Sequence, residues 1–243
     1  MKKMTPPVIG HRGAAAYAPE NTCSGFEAAA ALGVQWVEFD IRLTRDKQAI
    51  VFHDEDLART TNGGGIISEL DWKDINQYDA GSWFDSAYSG EKIPTLQNVM
   101  PNLQKLRLGA NVEIKASTGR EYESGQIVAA LLKKHWPRSL PPVLLSSFKP
   151  ECLLAAKEEA PDISRALIVD EIPSDWEVKL LMLGCQGLHC RHDKLNEDLA
   201  EKITGRGYSL RCFTVNNYNR AELLFGWGVE SVFTDYPDRI MGK

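Results

Sequence analysis

The chain has few cysteines, and none is placed for metal or redox work. Cys23, Cys152, Cys185, Cys190 and Cys212 are odd in number, include no CxxC pair and mostly sit among apolar residues. That pattern suits reduced structural thiols and a cytoplasmic setting, and it excludes a disulfide framework. Long apolar runs are missing too, so no membrane-spanning segment is expected. The start, MKKMTPPVIG, has two lysines but no hydrophobic stretch before the first strand, unlike a secretory signal. Positive charge is not in excess: 28 Lys+Arg against 33 Asp+Glu leave a net charge of -5. Nucleic acid and anionic membrane are therefore disfavoured as partners, and a small molecule is expected.

What is present suffices for one sizeable domain spanning residues 1-243, a length ordinary for a single α/β barrel. In the second half, strand-like runs begin at Val143 (VLLSSF), Arg165 (RALIV), Gly187 (GLHC), Ser209 (SLRCFTV) and Ser231 (SVFTD), spaced roughly as short βα units are. Helical patterns lie between them, with start signals at Pro150, Ser174 and Asn196. The first half adds VIGH at 8-11, WVEFDIRL at 36-43, AIVFH at 49-53 and NVEIK at 111-115. The link from Leu43 to Ala49 is too short for a parallel crossover, so 49-53 should return antiparallel. Eight strands alternating with helices then predict a (β/α)8 TIM barrel, with a doubly wound sheet as the competitor. Residues 55-108, containing NGGG, DWKDI and DAGSWF, are too long for a simple loop and predict a small inserted lid after the third strand.

The stretch WVEFDIRLTRDKQAIVFHD carries charge where a buried hairpin should not. Glu38 and Asp40, two apart on a strand, share a face. An even-length turn near Thr44-Lys47 would pair His53 with Glu38 or Asp40 and bring the imidazole to the same face. NVEIK places Glu113 and Lys115 together at another strand end, and VIGHRG ends on His11 and Arg12. In a barrel the carboxyl ends of the strands form the mouth where active sites sit. Three carboxylates make a hard oxygen set suited to Mg²⁺ or Ca²⁺. Two histidines suit an acid and base pair, while Arg12 and Lys115 suit an anionic substrate. Phosphodiester cleavage is the chemistry these groups point to.

HRG at 11-13, PENT at 19-22, EFD at 38-40, FHD at 52-54, RTTNG at 59-63, EIK at 113-115, SSF at 146-148, TVN at 214-216 and TDYPD at 234-238 resemble, in order and spacing, the glycerophosphodiester phosphodiesterases. The length and the DAGSWF and LLSSF stretches are most similar to the cytoplasmic bacterial branch. The resemblance implies a TIM barrel that converts glycerophosphodiesters into sn-glycerol 3-phosphate and an alcohol with one divalent metal, and the expected cytoplasmic setting favours Mg²⁺ over Ca²⁺. It implies Glu38, Asp40 and Glu113 as metal ligands, His11 and His53 as the catalytic pair, and Arg12 and Lys115 on the phosphate. It also implies attack by the neighbouring glycerol hydroxyl through a cyclic phosphodiester. Phe148 and Phe213, at strand ends, are candidates to pack against the substrate.

Plainer readings stand beside these. Arg12 could pair with Glu20, and Glu113 with Lys115. His135 at a helix end reads as structural. His189 and His192 have a spacing that could ligate zinc, but Cys190 between them would point to the opposite face. NGGG reads as a lid turn, and PENT as a helix cap. A lysophospholipid phosphodiesterase of the same fold would favour an apolar lid, whereas this insertion is polar. A non-catalytic barrel that binds a phosphorylated metabolite would have lost a histidine or a carboxylate, and none is lost. The oligomeric state is not legible.

Overall fold

A computed structural model describes residues 4-242. Eight parallel strands close on themselves: β1 (Val8-Gly10), β2 (Trp36-Leu43), β4 (Gly109-Ile114), β5 (Leu144-Ser147), β6 (Ser164-Val169), β7 (Gly187-Arg191), β8 (Ser209-Phe213) and β9 (Ser231-Thr234). The pairing of β1 with both β9 and β2 completes the circle. This is the expected TIM barrel. β3 (Ala49-Val51) runs antiparallel on the outer edge of β2, as the short connection requires.

Helices α1 (Cys23-Ala31), α3 (Leu96-Leu106), α4 (Glu121-His135), α5 (Pro150-Glu159), α6 (Trp176-Leu183), α7 (Glu197-Gly205), α8 (Tyr218-Gly226) and α9 (Pro237-Met241) form the outer ring. Their starts are chemically marked. Thr22, Thr95, Asn196 and Asn217 each accept a hydrogen bond from a backbone N-H in the first turn, and Pro150 opens α5 with its φ preset. The expected start at Ser174 lies one residue early, because α6 is preceded by Asp175, which makes no side-chain cap.

Two apolar clusters fill the space between strands and helices. One is centred on β2, β4 and α3, with Phe39, Ile41, Val112 and Leu103; the other is centred on β7 and β8, with Leu188, Leu210 and Ile203. Inside the barrel, Ile9, Trp36, Leu144, Ala166 and Phe233 form a third. Among the described residues, no helix is long and apolar enough to cross a membrane.

The segment 55-108 divides in the structure. Leu96, Val99, Met100 and Leu103 of α3 join the barrel core, so the end of that segment belongs to the ring of helices. What precedes α3 is irregular, with the single turn α2 (Trp72-Ile75), and gathers Leu57, Ile67, Ile75, Ala80 and Ile93 around Ile50 and Phe52 into its own small core. Thr95 caps α3, which places the boundary there. Pro101 reads as punctuation in the sequence, but it lies past the first turn of a helix whose apolar face is still buried.

The hairpin register also differs from the expected one. Leu43 pairs with Ala49, Arg42 with Ile50 and Ile41 with Val51, around a five-residue connection. An odd connection continued regularly would put His53 opposite Phe39, on the face away from Glu38 and Asp40. The ladder instead stops with Phe52 N-H donating to the Asp40 carbonyl at 3.0 Å. Beyond it the chain turns inward, and Arg42 Nε donates to the His53 carbonyl at 2.7 Å. His53 reaches the mouth because the strand ends.

Candidate active site

A cavity of about 180 Å³ opens at the carboxyl ends of the barrel strands. Its lining includes all nine residues singled out from the sequence: His11, Arg12, Glu38, Asp40, His53, Glu113, Lys115, Phe148 and Phe213. Asn111, Ile168, His189, Thr214 and Phe233 complete it.

The HRG turn sets one wall. Arg12 has φ 49° and Gly13 φ 93°, and a Cβ at Gly13 would stand 2.6 Å from the Gly25 carbonyl carbon, so only glycine allows the loop to close on α1. The reversal aims the Arg12 backbone N-H at Glu38 Oε2, 3.0 Å away. Asn21, with φ 59°, grips Asp40 twice: its Nδ2 donates to Asp40 Oδ2 at 2.9 Å, and its Oδ1 accepts from the Asp40 N-H at 3.1 Å. PENT is therefore more than a cap. Thr22 caps α1 while its neighbour holds a site carboxylate.

Glu38, Asp40 and Glu113 bring carboxylate oxygens within 4.8 Å of one another. Parallel pairing explains the convergence, since Asp40 on β2 is directly beside Glu113 on β4. Arg12 Nε lies 3.5 Å from Asp40, and Lys115 Nζ lies 2.8 Å from Glu113 and 3.7 Å from Asp40. The plainer pairings of Arg12 with Glu20, at 2.7 Å, and of Lys115 with Glu113 thus exist, but as parts of the cluster.

Three acids against two bases leave the cluster short of positive charge. Burial, with the charges of Asp40 and Glu113, drives the Glu38 carboxyl well above its ordinary pKa. Burial and Asp40 push Glu113 up to about 7. Asp40 goes the other way: burial opposes its charge, but Arg12 and Lys115 outweigh that and hold it low. Glu38 Oε1 is buried and has no hydrogen-bond partner among the described residues.

The two histidines are held alike. His11 Nδ1 lies 2.7 Å from Asp235 Oδ1, which leaves Nε2 facing the cluster 3.9 Å from Glu38. His53 Nδ1 lies 2.6 Å from Asp54 Oδ1. A carboxylate on Nδ1 fixes the tautomer and frees Nε2 for proton transfer. Asp235 is steadied by Asn216 at 2.7 Å, and Asp54 by Arg59, whose other nitrogens reach Glu20 at 2.7 and 2.8 Å. Burial lowers the pKa of His53, which favours the neutral imidazole.

Asp235, Asn216, Asp54, Arg59 and Asn21 are not singled out by the sequence, although they stand in its quoted motifs, and Glu20 enters there only as a pairing partner for Arg12. Asp235 follows a strand end as His11 does, a signal that could have found it. His189 points into the barrel while Cys190 belongs to the outer apolar cluster, so they do not share a site. Phe148 and Phe213 meet edge to face at 5.9 Å, and Lys115 Nζ stands 5.4 Å from the Phe148 ring centre.

This arrangement has close relatives. Residues 11-239 match the glycerophosphoryl diester phosphodiesterase family. A glycerophosphodiester phosphodiesterase of Bacillus subtilis is 32% identical over 247 residues, covering 95% of this chain and 83% of that one. Another from Caldanaerobacter subterraneus is 30% identical, covering 96% of both. The structure of an Oleispira antarctica phosphodiesterase in complex with the product sn-glycerol-3-phosphate superposes with a TM-score of 0.95 at 38% identity, covering 98% of this chain and 96% of that one. A match over nearly the whole length, with relatives at 30% identity or more over most of both chains, means that the chain belongs to the glycerophosphoryl diester phosphodiesterase family of phosphoric diester hydrolases.

Proposed function

We propose that this enzyme hydrolyses glycerophosphodiesters to sn-glycerol 3-phosphate and an alcohol, with a divalent metal held by Glu38, Asp40 and Glu113 and with His11 and His53 as the proton-transfer pair. The observation that carries the reading is the shared tethering of the histidines: each has Nδ1 on a carboxylate, and both line the cavity that holds the acidic cluster. A metal fits that cluster. Three buried carboxylates within 4.8 Å are costly together without a cation, and Glu38 Oε1 has no other partner among the described residues. So few protein oxygens favour Mg²⁺ over Ca²⁺, since Mg²⁺ keeps several waters or substrate oxygens. Bound there, it would supply charge stabilisation at phosphorus and acidify the attacking hydroxyl.

The chain's own groups do the rest. Arg12 and Lys115 hold the phosphate, the guanidinium by its fork and the ammonium as a point charge. One histidine takes the proton of the glycerol hydroxyl next to the phosphoester, and that oxygen attacks phosphorus. The other histidine protonates the departing alcohol. The product of this step is a five-membered cyclic diester. Water then opens it with the histidine roles exchanged, restoring both protonation states.

The direct test is release of glycerol 3-phosphate from glycerophosphocholine and glycerophosphoethanolamine by the purified enzyme, in EDTA and after Mg²⁺ or Ca²⁺ is restored. Metal-dependent release from both is expected. Replacing His11 or His53 with Ala should lower kcat by about 10²- to 10⁴-fold with the fold intact. Near-normal kcat in either variant would overturn the pair.

A further inference from the structure

The floor of the cavity holds two polar groups that the proposed chemistry does not use. Asn111 and His189 are each 1% exposed. Asn111 Oδ1 and His189 Nε2 have no hydrogen-bond partner among the described residues. Both line the cavity that contains the histidines and the acidic cluster. Neither is placed by chance. Asn111 is oriented by its Nδ2, which donates to Ser146 Oγ at 2.9 Å, so its carbonyl is left as an acceptor. The His189 ring lies 5.1 Å from that of Phe233.

Depth matters here. Asn111 precedes Glu113 by two residues on the same strand face, about 7 Å nearer the base of the barrel. His189 is in register with Arg211, which belongs to the buried charge pair that closes the base. Burial, then the Arg211 charge, keeps the imidazole neutral, so it offers one N-H and one lone pair. Buried polar atoms are ordinarily paired, and two unpaired ones in the cavity, near Ile168 and Phe233 and with Asn111 in register with Glu38, mark a place for a ligand's polar group.

We infer that Asn111 and His189 form a subsite for the terminal hydroxyl of the glycerol unit, and that the enzyme thereby selects diesters whose terminal hydroxyl is free. The inference rests on the hydrolysis proposed above. A hydroxyl supplies what the floor lacks: one proton to give to Asn111 Oδ1, and lone pairs to accept from a His189 N-H. The orientation is the sensible one for a loose head-group specificity. The glycerol unit, common to all such substrates, enters the closed end, while the variable alcohol stays at the mouth beside Phe148 and Phe213. An acyl ester on that hydroxyl removes its proton and adds a chain the closed floor has no room for. Lysophospholipids are thus excluded from within the barrel.

The test compares three diesters on the wild-type enzyme: glycerophosphocholine, the phosphocholine diester of propane-1,2-diol, and lysophosphatidylcholine. The second keeps the attacking hydroxyl but carries a methyl group in place of the terminal hydroxymethyl. It should fall by roughly ten- to a hundredfold in kcat/KM, because binding it leaves two buried groups unpaired. Lysophosphatidylcholine should fall at least as far. In His189→Leu and Asn111→Leu, glycerophosphocholine turnover should drop toward that of the propanediol diester, whose own rate changes little. Equal rates on the glycerol and propanediol diesters in the wild type, or comparable hydrolysis of lysophosphatidylcholine, would overturn the subsite while leaving the phosphodiesterase reading standing. Retained discrimination in the folded variants would overturn it too. No hydrolysis of any diester would instead remove the proposed function beneath it. The wild-type comparison holds even if a variant fails to fold.

Discussion

The barrel buries two clusters of charge, one at each end, and they are finished differently. At the base, Glu230 Oε1 accepts from the backbone N-H groups of Met4 and Thr5, from Thr5 Oγ1 and from Arg211 Nη2, all within 3.1 Å. Arg211 Nε donates to Thr5 Oγ1, and Ser231 joins Thr5 to the Pro6 carbonyl. Among the described residues, none of the buried atoms without a hydrogen-bond partner belongs to this group. At the mouth, Glu38 Oε1 and Arg12 Nε have no hydrogen-bond partner among the described residues, and Asn111 Oδ1 and His189 Nε2 in the same cavity have none either. Leaving a buried polar group unpaired costs about 1-3 kcal/mol each, and a charged one more. The base shows what the fold does with ions it needs for closure. At the mouth the described residues leave that deficit in place.

The largest effect should come from opening the finished cluster. Arg211→Leu takes the counter-charge from the buried Glu230 and should cost about 3-5 kcal/mol in urea unfolding, while the surviving folded enzyme keeps its kcat. Removing an acid from the mouth should act in the opposite sense. Glu38→Gln relieves repulsion, so in EDTA its melting temperature should equal or exceed that of the wild type. The comparison breaks if that variant is as destabilised as Arg211→Leu. The same variant should lose the stabilisation that Mg²⁺ gives the wild type, about 2.7 kcal/mol at a hundredfold excess over Kd, as thermal melting against metal concentration would show.

Acidity sharpens the contrast. Glu113, pushed up to about 7 by burial and Asp40, binds a proton in the folded state that the unfolded chain releases near the ordinary carboxylate value of 4.5. Its effect on stability is therefore favourable at low pH and is lost as pH rises from about 4.5 toward 7. In EDTA the wild type should lose stability across that window relative to Glu113→Gln, and saturating Mg²⁺ should flatten the difference. A slope of the opposite sign would mean the mouth is not short of positive charge. A lesser effect is expected at the base. Thr5→Val takes away the acceptor of the buried Arg211 Nε and should cost about 1-3 kcal/mol by urea unfolding, less than Arg211→Leu, without changing kcat/KM.

Much of the site was legible because its residues stand at strand ends with a spacing of two. Glu38 and Asp40, and Glu113 and Lys115, share faces by strand geometry alone, and βα alternation places those ends at one mouth. Hairpin register alone does not bring His53 to that face. The connection is five residues long, and its inward turn depends on the strand stopping and on Arg42 holding the His53 carbonyl. Pro101 looks like a breaker in the sequence, and only the burial of α3 shows that the helix runs through it. Asn21 looked like a helix-opening residue, yet its left-handed backbone and its two bonds to Asp40 follow from contact across the first strand pair.

The order of strands and helices, the sets of acids and bases, and the faces on which neighbours within one strand fall follow from local periodicity, and the sequence by itself determined them. Tertiary structure alone decided which charges found partners. Glu230 and Arg211 are completed by Thr5, more than two hundred residues away in the chain from either. Glu38, beside Asp40 and Glu113, is not completed by any described residue. The difference arises from barrel closure, which brings β1 against β9 and β2. Pairing between distant strands sets desolvation and hydrogen-bond supply together, and neither can be read from a residue's neighbours in sequence.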